Sequence, residues 1–334
     1  MSKTLLVTGG AGYVGSHAAV ELLSRGHKVI VFDNLYQGHR EAVPKEATFV
    51  RGDLADRSAI AAVFKAHKID AILHFAAHAL VGESMTKPLR YVGENVVNAL
   101  NLIEAAVENK VGKFVLSSTC AIFGTPARVP IDEDVPKAPV NSYGEGKLAI
   151  ERILHWVDQA HGMRSACLRY FNAAGAHPTA DIGEDHNPET HLIPIALNVA
   201  LGKRPQIDVF GTDYPTPDGT CVRDYIHVCD LADAHVRVLE ALDEKSRHYN
   251  VGIGRGYSVR EVIDAVRRVT GTPVPERLAP RRAGDPPVLV AAPERIKREL
   301  GWSPRYTEID AIVASAWKWR RAHPNGFGAA QAAD

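Results

Sequence analysis

Met1 to Ser16 reads MSKTLLVTGGAGYVGS, and the interpretation of this stretch decides the fold of the whole 334-residue chain. Thr4 to Thr8 (TLLVT) is a short apolar run without alternation, the pattern of a strand covered on both faces of a parallel sheet. Gly9, Gly10, Gly12 and Gly15 follow at once, and the last three satisfy G-x-G-x-x-G. A helix is expected over Ser16 to Arg25, with Val20, Leu22 and Leu23 inward and Gly26 as its stop. Glycines so placed supply a tight turn, a backbone that can touch a pyrophosphate, and a helix packed hard on its strand. The helix N-terminus then offers free N–H groups to phosphate.

A second apolar strand, Lys28 to Phe32, ends at Asp33. This acid lies about 20 residues past the glycines, where a carboxylate binds the adenosine ribose hydroxyls of a dinucleotide. No Arg or Lys stands immediately beside Asp33, so a 2′-phosphate would meet a like charge, which favours NAD over NADP. Strand and helix then alternate. Thr48 to Arg51 leads into Gly52-Asp53, Ser58 to Ala66 is a helix, and Ala71 to Phe75 is a buried strand. Pro88 opens a helix to about Asn109 with Val92, Val96, Leu100, Ile103 and Val107 on one stripe, and Lys113 to Ser117 is the next strand. The pattern predicts an α/β fold, a doubly wound parallel sheet of Rossmann type whose ligands sit at the strands' carboxyl ends. Asp53, Phe75 to Ala77 and Ser117 to Thr119 fall at such ends.

A helix from Ser142 to His161, with Ile150, Leu154 and Val157 inward and Gly162 as stop, precedes a strand over Ser165 to Tyr170. Beyond it Pro and Gly become frequent, and DIGEDHNPET (181–190) and FGTDYPTPDGT (210–220) read as long loops. Loops of that length usually carry function. The expected organisation is a dinucleotide-binding domain over 1–174 and a smaller mixed α/β substrate lobe over 175–324. The helices Leu192–Leu201, Val228–Leu242, Ser258–Thr270, Glu294–Leu300 and Glu308–Arg320 belong to this second half, and a segment near Tyr249 to Gly252 returns to the large sheet. Residues 325–334 are expected to be a frayed tail.

The composition is ordinary for a globular protein, 46% hydrophobic and 23% charged, with zero formal charge. It therefore gives no electrostatic case for a nucleic-acid or membrane partner. No apolar run approaches a membrane span and the N-terminus has no signal-peptide core, so the cytoplasm is the expected location. The four cysteines, Cys120, Cys167, Cys221 and Cys229, lack disulfide or C-x-x-C spacing and suit a reducing compartment. The fifteen histidines are scattered without H-E-x-x-H or a Cys/His cluster, so no metal is expected.

Tyr143 and Lys147 form Y-x-x-x-K, which on a helix places both on one face. A phenol with a pKa near ~10 needs ~3 units, or ~4 kcal/mol, of stabilisation to act as a base at neutral pH. One positive charge at ~4 Å in an effective dielectric of ~20 supplies about that much. Lys147 is the expected charge, an oxidised nicotinamide would add a second, and the Thr119 hydroxyl can relay or orient the proton.

T-G-G-x-G-Y-V-G at Thr8 to Gly15, S-S-T at Ser117 to Thr119, S-Y-G-x-x-K at Ser142 to Lys147 and R-Y-F-N at Arg169 to Asn172 together resemble the extended short-chain dehydrogenase/reductase family. Asp213 to Val228 (DYPTPDGTCVRDYIHV), followed by Asp230 to Asp233 (DLAD), is similar to the 4-epimerases of UDP-hexoses within it, and the resemblance runs from about Leu5 to Pro324. It implies retained NAD, a UDP-sugar substrate and a 4-keto intermediate. Tyr143 would be base and acid, Lys147 its electrostatic partner and a ribose ligand, and Thr119 the bridging hydroxyl. Gly9, Gly12, Tyr13, Val14, Gly15, Asp33, Asn34, Asp53, Leu54, Phe75, Ala76, Ala77 and Phe171 would contact the cofactor with them. Thr119, Tyr143, Asn172, Leu192, Phe210, Arg223, Arg282, Asp285 and Leu289 would contact the substrate, the two arginines forking onto the diphosphate. Relatives also imply a homodimer through the helices near Pro88 and Tyr143.

The chain departs from the resemblance at Ala79, where many relatives carry a cofactor-side lysine, and at Leu289, where a pocket tyrosine is common. Leu289 leaves UDP-N-acetylglucosamine, UDP-xylose or UDP-arabinose open as alternative substrates. Nucleotide-sugar dehydration or decarboxylation would call for an acid just after Thr119, where Cys120, Ala121 and Ile122 stand. A net dehydrogenase would have to exchange its cofactor at each turnover, and a non-catalytic NAD-binding regulator would not need to keep Tyr143 and Lys147. Asp224, Tyr225 and His227 are expected to be structural supports around Arg223.

Overall fold

A computed structural model describes residues 2–282 and 284–328. Its first part alternates β1 (Thr4–Thr8), α1 (Tyr13–Ser24), β2 (Lys28–Asp33), β3 (Thr48–Arg51), α2 (Arg57–Ala66), β4 (Ala71–His74), α3 (Val81–Thr86), α4 (Pro88–Glu108), β5 (Lys113–Thr119), α5 (Ser142–His161) and β6 (Arg164–Tyr170). There follow β7 (Asn172–Ala174), α6 (Leu192–Ala200), β8 (Ile207–Phe210), β9 (Val222–His227), α7 (Val228–Glu240) and β10 (Arg247–Val251). The chain closes with β11 (Gly256–Ser258), α8 (Val259–Thr270), β12 (Glu276–Ala279), β13 (Val288–Leu289), α9 (Glu294–Leu300) and α10 (Ile309–Ala322).

Seven parallel strands form the large sheet in the order β10-β6-β5-β4-β1-β2-β3. The order reverses between β1 and β4, so the crevice at their carboxyl ends is the topological switch point where such sheets bind ligands. One face is covered by α1 and α7 with Leu22, Leu231, Leu239 and Trp302 in the core, and the other by α2, α4 and α5 around Ile72, Leu102, Phe114 and Leu154. Each large apolar side chain buried this way contributes roughly 1.5–3 kcal/mol. β10, far along the chain, is the edge strand beside β6. A smaller sheet builds on β9, with β11 antiparallel and β13 and β7 parallel to it, and β8 pairs with β12. These rest on α6, α8 and α10 around Leu197, Val262 and Ile312.

Three expectations need correction. α1 begins at Tyr13 rather than Ser16, because Gly12 is already extended and serves as its N-cap. Of the side chains expected inward on α1 only Leu22 is buried; Val20 and Leu23 are half-buried, and small Ala18 and Ala19 face the sheet instead. On α4 the inward residues are Tyr91, Asn95, Ala99, Leu102, Ile103 and Ala106. Val92 and Leu100 of the expected stripe are exposed, and Val96 and Val107 are half-buried. The helix is apolar on two faces, and small residues let it lie close to its neighbours, a choice that periodicity of large residues cannot read. Third, Asn325 to Gly328 is not frayed: the Phe327 N–H donates to Asp185 Oδ2 at 3.0 Å and its ring lies against His39 and Trp319. The rest of the expected tail, 329–334, lies outside the described residues.

A Cβ on Gly15 would stand 2.2 Å from the Gly9 carbonyl oxygen, whereas one on Gly112 would meet nothing within 4 Å. Gly15→Ala is therefore expected to lower stability by about 1–3 kcal/mol in urea titration, while Gly112→Ala leaves the midpoint close to that of the parent.

Candidate active site

The glycine loop crosses the switch point with no space to spare. Gly9 has φ +72°, and a Cβ there would lie 2.4 Å from the Ala76 nitrogen, so the loop after β1 and the loop after β4 are in backbone contact. Gly12 caps α1 without a side-chain hydrogen bond, and no acidic residue stands in the first turn of α1. Its leading N–H groups thus face the crevice without a carboxylate in competition. Asp33, at the end of β2, is buried and accepts from the Ala11 N–H (3.0 Å) and the Leu35 N–H (2.8 Å). Burial pushes its carboxyl pKa up against the pull of these two donors. Beyond it Asn34 donates to Asp53 Oδ2 at 2.8 Å, and Leu54 is buried beneath. Phe75, Ala76 and Ala77 continue from β4, with both the Phe75 and the Ala76 N–H on the Thr8 carbonyl. Open helix N–H groups, a loop that admits no side chain and a fixed carboxylate fit a dinucleotide, its pyrophosphate on α1 and its ribose on Asp33.

At the end of β5, Thr119 and the phenol of Tyr143 are both buried, and the Thr119 hydroxyl acts on the pKa of the phenol. α5 is aimed there by Asn141, which accepts the Gly144 N–H at 2.8 Å, and by Gly144, where a Cβ would be 2.6 Å from the Ala121 carbonyl oxygen. Burial drives the Tyr143 pKa well up, Tyr170 adds to this, and the Thr119 hydroxyl opposes it. Lys147 is one turn along and buried, donating to the Ser117 carbonyl at 2.8 Å. Burial lowers its pKa to about 8, partly offset by Glu151. The bond to the Ser117 carbonyl engages one of the three N–H groups of the ammonium. Its hydrogen bond goes to the strand and not to the phenol.

Sequence reasoning missed Glu151, one further turn along α5. It accepts from Ser118 Oγ at 2.6 Å and makes a buried two-pronged ion pair with Arg169 (3.0 and 2.6 Å). The spacing Tyr143, Lys147, Glu151 on one helical face was the available signal.

The remaining candidates divide into two groups. Phe171, Cys120 and Leu289 share one small apolar cluster beside Thr119, and burial pushes the Cys120 thiol up to about 12. Asn172 lies opposite Tyr225, and Arg223 opposite Leu289, across β7, β9 and β13. Arg223 is salt-bridged to Asp285, which more than restores the charge that burial disfavours. Farther out, the exposed Arg282 lies over the Phe210 ring at 4.1 Å, and half-buried Leu192 is the first residue of α6. Asp224 is wholly buried and accepts N–H groups of Ile253, Gly254 and Ala291, while burial lifts its pKa to about 6. His227 stacks on Tyr306 at 3.8 Å. Ala79 is exposed.

A model of the NAD dependent epimerase/dehydratase family matches residues 5–252. A curated UDP-glucose 4-epimerase from Halalkalibacterium halodurans is 50% identical over 325 residues, 97% of each chain. A crystal structure of a UDP-glucose 4-epimerase superposes with a TM-score of 0.95 at 51% identity, over 97% of this chain and 99% of that one. The Bifidobacterium longum UDP-glucose 4-epimerase in complex with NAD+ and UDP gives 0.93 at 39% identity, over 97% of this chain and all of that one (100%).

Replacing Glu151 by Gln leaves Arg169 charged and unpaired in the interior. The expected loss is about 3–5 kcal/mol in chemical denaturation, and it should shrink markedly in Glu151→Leu/Arg169→Met, where neither charge is left alone.

Proposed function

The chain belongs to the NAD dependent epimerase/dehydratase family, and from that premise we propose that it inverts C4 of a UDP-hexose, interconverting UDP-glucose and UDP-galactose. The observation that carries the reading is the buried pair Tyr143 and Lys147, one turn apart on α5 at the end of β5, where Lys147 donates to the Ser117 carbonyl, with no acid over 120–122. NAD, when bound, would supply a reversible hydride acceptor for the sugar carbon. Gly9, Gly12, Tyr13, Val14, Gly15, Asp33, Asn34, Asp53, Leu54, Phe75, Ala76, Ala77 and Phe171 hold it, with Lys147 on the ribose.

Tyr143 takes the proton from the sugar O4 as the C4 hydrogen leaves, and returns it to the same oxygen once the 4-keto sugar has turned over. Thr119 bridges O4 and the phenol. Lys147 keeps a positive charge near the developing phenolate, which the buried phenol needs, since its surroundings hold its pKa far above neutral. Arg223 and Arg282 grip the diphosphate, so the sugar pivots while the nucleotide stays; Asn172, Leu192, Phe210, Asp285 and Leu289 line the same path. Cys120, its thiol near 12, is no acid or base at neutral pH, which disfavours dehydration. The 1–174 half serves the cofactor and 175–324 chiefly the nucleotide sugar. Four buried, unpaired cysteines suit cytoplasmic work, and among the described residues no helix is long and apolar enough to cross a membrane. The exposed Leu89, Val92 and Leu100 ridge of α4 is the surface a second copy would cover.

Given UDP-galactose and no oxidant, the protein should form UDP-glucose with no net nicotinamide absorbance change; loss of water, release of CO₂ or accumulation of NADH would refute the assignment. UDP-N-acetylgalactosamine and UDP-xylose, run alongside, read out the Leu289 pocket. Tyr143→Phe should retain NAD and lose roughly 10²–10⁴-fold in turnover. Lys147 is charged below its pKa of about 8 and neutral above it, so turnover should fall as pH rises past about 8. In sedimentation velocity the parent should run as a dimer and Leu100→Glu as a folded monomer; a monomeric parent contradicts the pairing.

A further inference from the structure

Four metal-ligating side chains converge outside the proposed catalytic site, on the segment that joins β7 to α6. Glu184, His186, Glu189 and His191 follow the spacing E-x-H-x-x-E-x-H, and one donor atom from each lies within 4.8 Å of all the others. This spacing is none of the familiar metal signatures, which is why the sequence alone predicts no metal. Folding, not spacing, brings the four together.

The plain alternative is a pair of His–Glu ion pairs, and half of the cluster has that form. His191 Nδ1 is 2.9 Å from both Glu184 Oε1 and Glu189 Oε1. His186 does not. Its Nδ1 is enclosed and makes no hydrogen bond, standing 3.4 Å from Glu184 Oε1 and 3.6 Å from Glu189 Oε2. Charge-assisted hydrogen bonds close to about 2.7–2.9 Å. Ligands around a tetrahedral zinc ion, with bonds of about 2.0–2.2 Å, are instead held about 3.3–3.5 Å apart. The spacing at His186 is that of neighbours around a shared ion.

The surroundings hold the donors in place. Glu189 Oε1 accepts the N–H groups of Thr190 and His191 at 2.8 Å each, leaving Oε2 toward His186. The His186 ring sits edge-on to Tyr13 with centroids 6.1 Å apart. Gln37 Nε2 donates to the Asn187 carbonyl at 2.8 Å, and Asp185 engages His39 and Arg320. Glu184 and Glu189 side chains are only 7% and 12% exposed, but His191 is 49% exposed and leaves an entry. Two carboxylates balance one divalent cation when both rings are neutral.

We propose that Glu184, His186, Glu189 and His191 bind one divalent transition-metal ion, zinc foremost. Two nitrogen and two oxygen donors suit Zn²⁺, Co²⁺ or Ni²⁺, whereas Mg²⁺ and Ca²⁺ seek oxygen alone. With four protein ligands the site is a structural clasp. It ties Tyr13, the first residue of α1, to Leu192, the first residue of α6, and so links the starts of these two helices.

The test takes the full NAD-bound protein, dialysed against a chelator and then titrated with Zn²⁺ alone by calorimetry and with Co²⁺ alone by visible absorption. Expected are one ion per chain, a raised melting temperature, and the intense visible bands of tetrahedral Co²⁺. His186→Ala and Glu189→Gln should each weaken binding at least about tenfold and abolish those bands. No uptake by the parent, or uptake and bands that survive in both variants, overturns the site. Should a variant fail to fold, the parent's stoichiometry and Co²⁺ bands decide alone. None of these readouts depends on epimerase turnover.

Discussion

The whole arrangement depends on a steric constraint: at the switch point two backbones touch where a single methyl group would not fit. Gly9 meets Ala76, and Gly15 meets Gly9, at distances that exclude any Cβ. This closeness brings the end of β4 beside the loop after β1, points the N-terminus of α1, which no side chain caps, into the crevice, and lets the Ala11 N–H reach Asp33. The next strands outward, β5 and β6, continue the same sheet, with Thr119 at the end of β5 and α5, which carries Tyr143 and Lys147, between them in the chain.

A second theme is charge held in the interior beside the proposed reaction. Lys147, Glu151 and Arg169 are all buried near the end of β5, with Ser118 bonded to the carboxylate. Buried ion pairs are poor stabilisers in themselves, because desolvation cancels much of their attraction. Their value here is positional. Glu151 offsets part of what burial takes from the charge of Lys147, and it does so from the same helix that carries the phenol.

Much of this was legible in the residues. An unbroken apolar run, the glycines and an acid after the second strand are local signals, and the strands of the large sheet lie within a residue or two of their expected limits. What escaped was whatever depends on the distance between elements. The inward face of α4 is set by Ala99 and Ala106, whose smallness permits contact, and not by the larger Val92 and Leu100. The Glu151–Arg169 pair joins a helix to a strand, and the Glu184–His191 quartet depends on how a loop curls. Phe327 finds its partners only because α10 ends beside Asp185. For the candidate site, residue types and strand ends were readable, but the bond from Lys147 to the Ser117 carbonyl was not.

The path of the chain through its second half limits how the molecule can move. After β9 it runs back along the large sheet as α7 and β10, leaves again for β11 and α8, and returns once more with α9 before finishing on α10. Asp224 stitches one of these crossings shut from inside, gripping Ile253, Gly254 and Ala291 together. A clamshell with several independent threads through its seam has no free hinge. The two halves are therefore tied together along several chain crossings and not at one joint.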